Sequence, residues 1–150
     1  MWIFEKGENK VIELNNFIGN REESDDRYIC YNLNKSIMIF NCLIEGENLS
    51  DVQIYVSNNI KLESIRKEIL DYIEWFSKCK NILTSYYENR LNEKVPDKWF
   101  ENIEIYRVDI TFVNENDYGA TIYCGDTVFL DHSLEIEFEK ENVIDIILNG

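Results

Sequence analysis

From Asp51 to Leu91 the chain reads DVQIYVSNNIKLESIRKEILDYIEWFSKCKNILTSYYENRL, and the period of its apolar residues changes once along the way. Val52, Ile54 and Val56 alternate with Asp51, Gln53, Tyr55 and Ser57, the two-residue period of a half-buried strand. From Leu62 the apolar positions are Leu62, Ile65, Ile69, Tyr72, Phe76, Cys79, Leu83 and Tyr86, at alternating steps of three and four. That spacing is one stripe along a helix, widened by Ile73, Trp75, Ile82 and Tyr87. Asn58 or Asn59 suits the cap, and Glu63 suits the first turn. The pattern predicts one helix from about residue 60 to 91, roughly 45 Å long at 1.5 Å per residue and bent near Ser77. Tyr72, Cys79 and Tyr86 are poor d-position residues and strands flank the segment, so a coiled coil is not the reading.

Strand signals lie on both sides. MWIFEKGENKVIEL has two apolar runs around a turn at Lys6-Gly7-Glu8-Asn9, FIGNREESDDR breaks into an exposed acidic loop, and YICYNL and SIMIFNCLIEG follow as strands. After the helix, Pro96 in LNEKVPDKWFEN stops continuation. IEIYRVDITFV, a turn in NENDYG, ATIYCG, and two strands around Lys140-Glu141-Asn142 complete the chain. Four strands, a long helix and four strands predict an α+β fold, an antiparallel β-sheet packed against one long central α-helix. A length of 150 residues with 45% apolar and 13% aromatic residues suits a single domain over residues 1–150 with one core.

MWIFEKGENK has no apolar stretch of secretory length, and no run of about eighteen apolar residues occurs, so the expectation is a soluble, cytoplasmic protein. Cys30, Cys42, Cys79 and Cys124 are widely spaced without a CxxC pair, which points to reduced, mostly buried thiols rather than zinc. No metal site and no cofactor is expected. The net charge of −14 is unevenly spread: residues 1–50 carry nine acids and five bases, 51–100 eight and eight, and 101–150 twelve and two. Such a field repels nucleic acid and anionic membranes and attracts basic partners.

The only histidine lies in YCGDTVFLDHS, residues 123–133. Asp126 and Asp131 near His132 offer the parts of a general base with orienting acids. Asp131 is adjacent to His132, however, and in a strand the two side chains point to opposite faces. The preferred reading is turn chemistry at Gly125-Asp126 and Asp131-His132-Ser133, bounding a short apolar strand TVFL. Glu135, Glu137 and Glu139 alternate with Leu134, Ile136 and Phe138, placing three carboxylates on one strand face about 7 Å apart. With Glu22, Glu23, Asp25 and Asp26 in the early loop, and Asp126 and Asp131, they form the candidate surface for a basic protein. Trp75, Tyr86 and Tyr87 are candidate core, and Trp99 caps it after the helix.

From about Asn34 onward the layout resembles an uncharacterised bacterial family of unknown function. The resemblance rests on a helix with an internal Trp (LDYIEWFSKCK), a second Trp after it (DKWF), and a pattern of the form G-D-x-x-x-x-x-H-x-[LI]-x-[IV]. Here that pattern is Gly125, Asp126, His132, Leu134 and Ile136, with IILNG at the end. The resemblance implies the α+β fold and assigns no chemistry. In style the chain is also similar to the acidic immunity proteins of polymorphic toxin and contact-dependent inhibition systems, which bind and block a toxin domain, often a basic nuclease. The expected function is therefore a non-catalytic protein that neutralises a basic toxin domain. A hydrolase-like enzyme around His132, Asp126 and Asp131 is the alternative, and a scaffold oligomerising through the helix ranks third.

Overall fold

The computed structural model describes residues 12–45 and 51–150. After a short 3-10 turn at Leu14–Asn16 come β1 (Phe17–Asn20), β2 (Tyr28–Leu33), β3 (Ile37–Ile39), β4 (Cys42–Ile44) and β5 (Val52–Ser57). Helices α1 (Leu62–Trp75) and α2 (Lys80–Leu91) follow, then β6 (Glu104–Asn114), β7 (Asp117–Gly125), β8 (Ser133–Glu139) and β9 (Asn142–Asn149). Seven strands form one sheet in the order β1-β2-β5-β6-β7-β8-β9, and β3 with β4 makes a separate hairpin. All neighbours pair antiparallel except β5 and β6, which are parallel and joined through the two helices. The fold is thus α+β with an antiparallel-dominated sheet. The predicted hairpin around Lys6-Gly7-Glu8-Asn9 lies outside the described residues.

The predicted single long helix is two helices. Most of its apolar stripe is buried, namely Leu62, Ile65, Ile69, Tyr72, Ile73, Phe76, Cys79, Leu83 and Tyr87, whereas Trp75 and Tyr86 are half-buried and Ile82 is exposed. What breaks it is the use of the backbone at Phe76. The Phe76 carbonyl accepts from Phe40 N–H at 3.2 Å, a contact from the β3–β4 hairpin, while Ser77 and Lys78 N–H turn back to Glu74 and Trp75. The Ser77 hydroxyl caps Glu74 C=O and the Cys79 thiol reaches Phe76 C=O, side-chain competition of the kind that interrupts helices. Phe76 itself is sealed by Tyr72, Trp75, Phe40 and Phe138 rings with centroids 4.7–6.5 Å away. Neither Asn58 nor Asn59 caps α1: its N-cap is Lys61, and the Asn58 amide donates instead to the Asp26 carbonyl. At the other end Asn92, in the left-handed conformation at φ 59°, closes α2 before Pro96 is reached.

Three strand expectations also change, the first at FIGN, read as the head of the acidic loop and found as β1. SIMIFNCLIEG is a hairpin because Phe40 turns at φ 56°, a conformation held for a bulky residue only by its packing on Phe76, Phe100 and Phe138. TVFL is a turn rather than a strand. One sheet face is apolar, with Ile54, Val56, Val108, Ile110, Ile122, Leu134 and Ile136 buried beneath the helices. Strand alternation then sends Gln53, Tyr55, Arg107, Asp109, Thr111, Thr121, Tyr123, Glu135 and Glu137 to the opposite, open face. Among the described residues, no helix is long and apolar enough to cross a membrane. Cys30, Cys79 and Cys124 are buried thiols without a disulfide, and Cys42 is partly exposed.

Gly119 tests the register of β7 on β8. A Cβ at this position lies 2.6 Å from the Phe138 carbonyl oxygen, so the ladder has to shift to admit it. Gly119→Ala is expected to lower stability by about 1–3 kcal/mol in urea unfolding, the usual range for overpacking. An unchanged midpoint contradicts the register described.

Candidate functional site: the open face of the sheet

The open face begins with the central strand. Arg107 and Asp109 stand two residues apart on β6 and meet on the same side, Arg107 Nε to Asp109 Oδ1 at 2.9 Å. Arg107 also donates to Gln53 Oε1 at 2.8 Å, which accepts the Tyr55 hydroxyl at 3.0 Å. The guanidinium carbon lies 5.6 Å from the Tyr123 ring centre. Gln53 is only 4% exposed, so this network is a constructed layer and not a loose solvent-facing set. Beside it lies a trough of about 550 Å³, with Asp25, Tyr28, Tyr55, Asp109, Glu137 and Ile144 in its lining. The lining comes from the β1–β2 loop and from strands β2, β5, β6, β7, β8 and β9, so the trough crosses the strands for about 24 Å at roughly 4.8 Å per strand.

The early loop and the late strand, both acidic, meet here. Asp25 folds the loop by accepting the N–H groups of Arg27 and Tyr28 at 2.8 and 2.9 Å, which brings it to the trough wall. Cys30, Tyr55 and Asp109 are all pushed up, by burial first and with a smaller push from the Glu23 charge on the same place. Burial is the larger cause in each, taking the Cys30 thiol to about 11 and the Tyr55 hydroxyl to about 12. On β8, Glu135, Glu137 and Glu139 share the open face, opposite Tyr123, Thr121 and Gly119 of β7. None of the three is in an ion pair among the described residues. Among the described residues Arg107 is the one base at a strand position of this face, and Asp109 already holds it. Glu22 and Asp26 are exposed on the same loop as Asp25 but do not line the trough.

The residues around the histidine do not assemble into a site. Asp126, expected on the contact surface, is buried at 8% exposure. Its Oδ2 accepts Tyr87 O–H at 2.9 Å and Trp99 Nε1–H at 2.8 Å, and its Oδ1 accepts Val128 and Phe129 N–H at 3.1 and 3.0 Å. Tyr87 and Trp99 stack with centroids 4.6 Å apart, so one carboxylate ties α2, the segment after it and the 127–132 turn together. His132 is exposed; its ring meets Phe129 edge-on and its N–H closes a turn onto the Phe129 carbonyl at 3.1 Å. Asp131 is exposed on that turn, outside the trough. Among the described residues no three His, Cys, Asp or Glu side chains gather closely enough to hold a metal ion.

Sequence reasoning missed Tyr28, Gln53, Tyr55, Arg107 and Asp109. Their signal was the alternation of Arg107, Asp109 and Thr111 with Val108, Ile110 and Phe112, which marks the polar side of a central strand.

Two measurements follow from this geometry. Asp126→Ala strands two buried donors, Trp99 Nε1–H and Tyr87 O–H, at about 1–3 kcal/mol each, so a loss of roughly 2–6 kcal/mol is expected in urea unfolding. A change below that range places the carboxylate outside the core. The second is a carboxyl NMR titration. Burial raises Asp109 above the ordinary aspartate range despite Arg107, whereas backbone N–H groups lower Asp25 and Arg90 lowers Asp145. Asp25 and Asp145 contribute stability that is present above the unfolded pKa and lost as pH falls through the folded one. Asp109 has the opposite sign: its contribution is present below the unfolded pKa and lost as pH rises through the folded one. An Asp109 midpoint at or below that of Asp25 overturns this description of the face.

No family model, curated protein or solved structure matches the chain, and the functional reading therefore rests on this face alone.

Proposed function

We propose that this chain is a non-catalytic binding protein whose open sheet face receives a basic protein. In the reading we favour it acts as an immunity protein, holding and neutralising a basic, nuclease-type toxin domain. The observation that carries this is the convergence of acids distant in sequence on one face: Glu23 and Asp25 on one flank, Asp109 at the centre, Glu135 and Glu137 on the other. The single base among those strand positions is already held. Among the described residues the other five ion pairs each engage a cation from residues 67–94, and none of them includes Glu23, Asp25, Glu135 or Glu137.

A field of this kind speeds the encounter with a cationic protein and selects against nucleic acid. Tyr28 and Tyr55 add the amphipathic rings that dominate binding hot spots. Presented to a nuclease, carboxylates at this density compete for the cationic groove that takes phosphates. The proposed contact surface is Glu135, Glu137, Glu139, Glu23 and Asp25, flanked by Glu22 and Asp26. Asp126 leaves it because its carboxylate faces inward. The alternative, an enzyme around His132, Asp126 and Asp131, draws no support from the geometry, since all four hydrogen bonds to Asp126 come from groups other than His132.

The test is capture of partners from the source cell, with affinity then measured for the wild type and for a variant carrying lysine at Glu135, Glu137 and Glu139. A basic protein is expected to be retained at about 0.05 M salt and weakened at about 0.5 M. The lysine variant is expected to lose at least about a hundredfold in affinity while its circular dichroism spectrum is unchanged. Equal affinity of a well-folded lysine variant overturns the assignment of this surface.

A further inference from the structure

Glu137 and Asp109 lie in one cross-strand row, Gln53–Asp109–Thr121–Glu137, so their Cα atoms are two strand spacings or about 10 Å apart. The residue between them is Thr121, a short side chain, so the floor is low where the two carboxylates look at each other across it. Asp109 is held at Oδ1 by Arg107, and no hydrogen bond among the described residues uses its Oδ2 or either oxygen of Glu137. Two acceptors are therefore left on opposite sides of a gap, with Tyr28 and Tyr55 in the trough wall on the β2 side. The face already shows how it treats a guanidinium: Arg107 is gripped by a carboxylate and an amide oxygen and lies over an aromatic ring.

We infer that the trough seats an arginine of the basic partner, its guanidinium laid over Thr121 and bridging Asp109 Oδ2 to Glu137. This rests on the binding-protein reading above and adds to it the identity of the anchoring side chain. Arginine rather than lysine is selected by shape. A planar fork with five N–H donors spans two carboxylates at once, whereas an ammonium is a point charge that one carboxylate suffices to hold. The half-buried position of Asp109, whose side chain is 17% exposed, strengthens the contact because water competes less well there. The cation also adds, at Oδ2, to the partial compensation that Arg107 gives the buried Asp109 at Oδ1.

The probe is a blocked tripeptide, Gly-Arg-Gly, titrated into the isotope-labelled full chain and followed by amide chemical shifts, with Gly-Lys-Gly and the uncharged Gly-citrulline-Gly as controls. The expected result is a saturable shift centred on Thr111, Thr121 and Glu137, an affinity for the arginine peptide at least about fivefold above the lysine peptide, and no response to citrulline. Glu137→Gln, on the outer part of the face, is expected to weaken the arginine peptide by about tenfold, and Asp109→Asn by at least as much. Glu137→Gln leaves the Arg107–Asp109 pair untouched, so its result stands even if Asp109→Asn unfolds.

Unsaturable shifts spread over all acidic segments overturn the inference, as does equal affinity for lysine and arginine or an unchanged affinity in Glu137→Gln. The two proposals fail separately. A captured basic protein that is lost on lysine substitution, together with an arginine peptide that ignores Thr121, removes the anchor and keeps the binding surface. A seated arginine peptide with no basic protein retained does the reverse.

Discussion

The Phe76 carbonyl, taken by Phe40 N–H instead of the next helical turn, is the contact on which the rest of the layout depends. An uninterrupted helix over residues 60–91 is about 45 Å long, whereas seven strands span only about 29 Å between the outermost ones. Such a helix would carry part of its apolar stripe past the edge of the sheet. Breaking it at Phe76 folds both halves back over the apolar face, so that Ile69 and Tyr72 of α1 and Leu83 and Tyr87 of α2 are all buried. The β3–β4 hairpin is the device that makes the break, and the aromatic cluster of Phe40, Phe76, Phe100 and Phe138 is what holds the hairpin there.

Once both helices lie on one side, the other side of the sheet must live with water. The chain answers with a polar layer whose charges are not balanced. Self-repulsion among Glu135, Glu137, Asp109, Glu23 and Asp25 opposes folding, and among the described residues Arg107–Asp109 is the ion pair that includes any of them. Exposed ion pairs contribute little in any case, so adding lysines there would give a small gain in stability. The imbalance is thus a modest standing cost, and a docked cation is what removes it.

Much of this was legible from periodicity. The strand at Val52–Ser57, most of the helical stripe from Leu62 and the one-sided row at Glu135, Glu137 and Glu139 are in the structure, because alternation and the three-four step report on which face is buried, although the Val52 strand read as half-buried is covered on both faces except at Tyr55. The break at Phe76 was not legible in the same way. It comes from a long-range contact with Phe40, and local spacing carries no record of a partner so far away in sequence. Asp126 misled for a related reason: a carboxylate after glycine reads as an exposed turn residue, and only the arrival of Tyr87 and Trp99 shows that it is internal. The same limit hid the trough. Asp25 and Glu137 belong to one place because four intervening strands bring them together, and composition records only that both are acidic.

The parallel pairing of β5 with β6 has a kinetic meaning. Every other ladder of the main sheet joins strands close in sequence, but this one closes a loop that contains both helices, and loop-closure entropy makes such contacts late and slow. Tyr28, Tyr55 and Asp25 lie on one side of that seam, and Asp109, Thr121 and Glu137 on the other. The trough therefore comes into existence only when the seam shuts, and a half-folded chain has the charge of the finished protein without its recognition surface. An occupant that grips both sides acts as a clasp across the slowest-forming ladder, so the bound protein should open there less often than the free one.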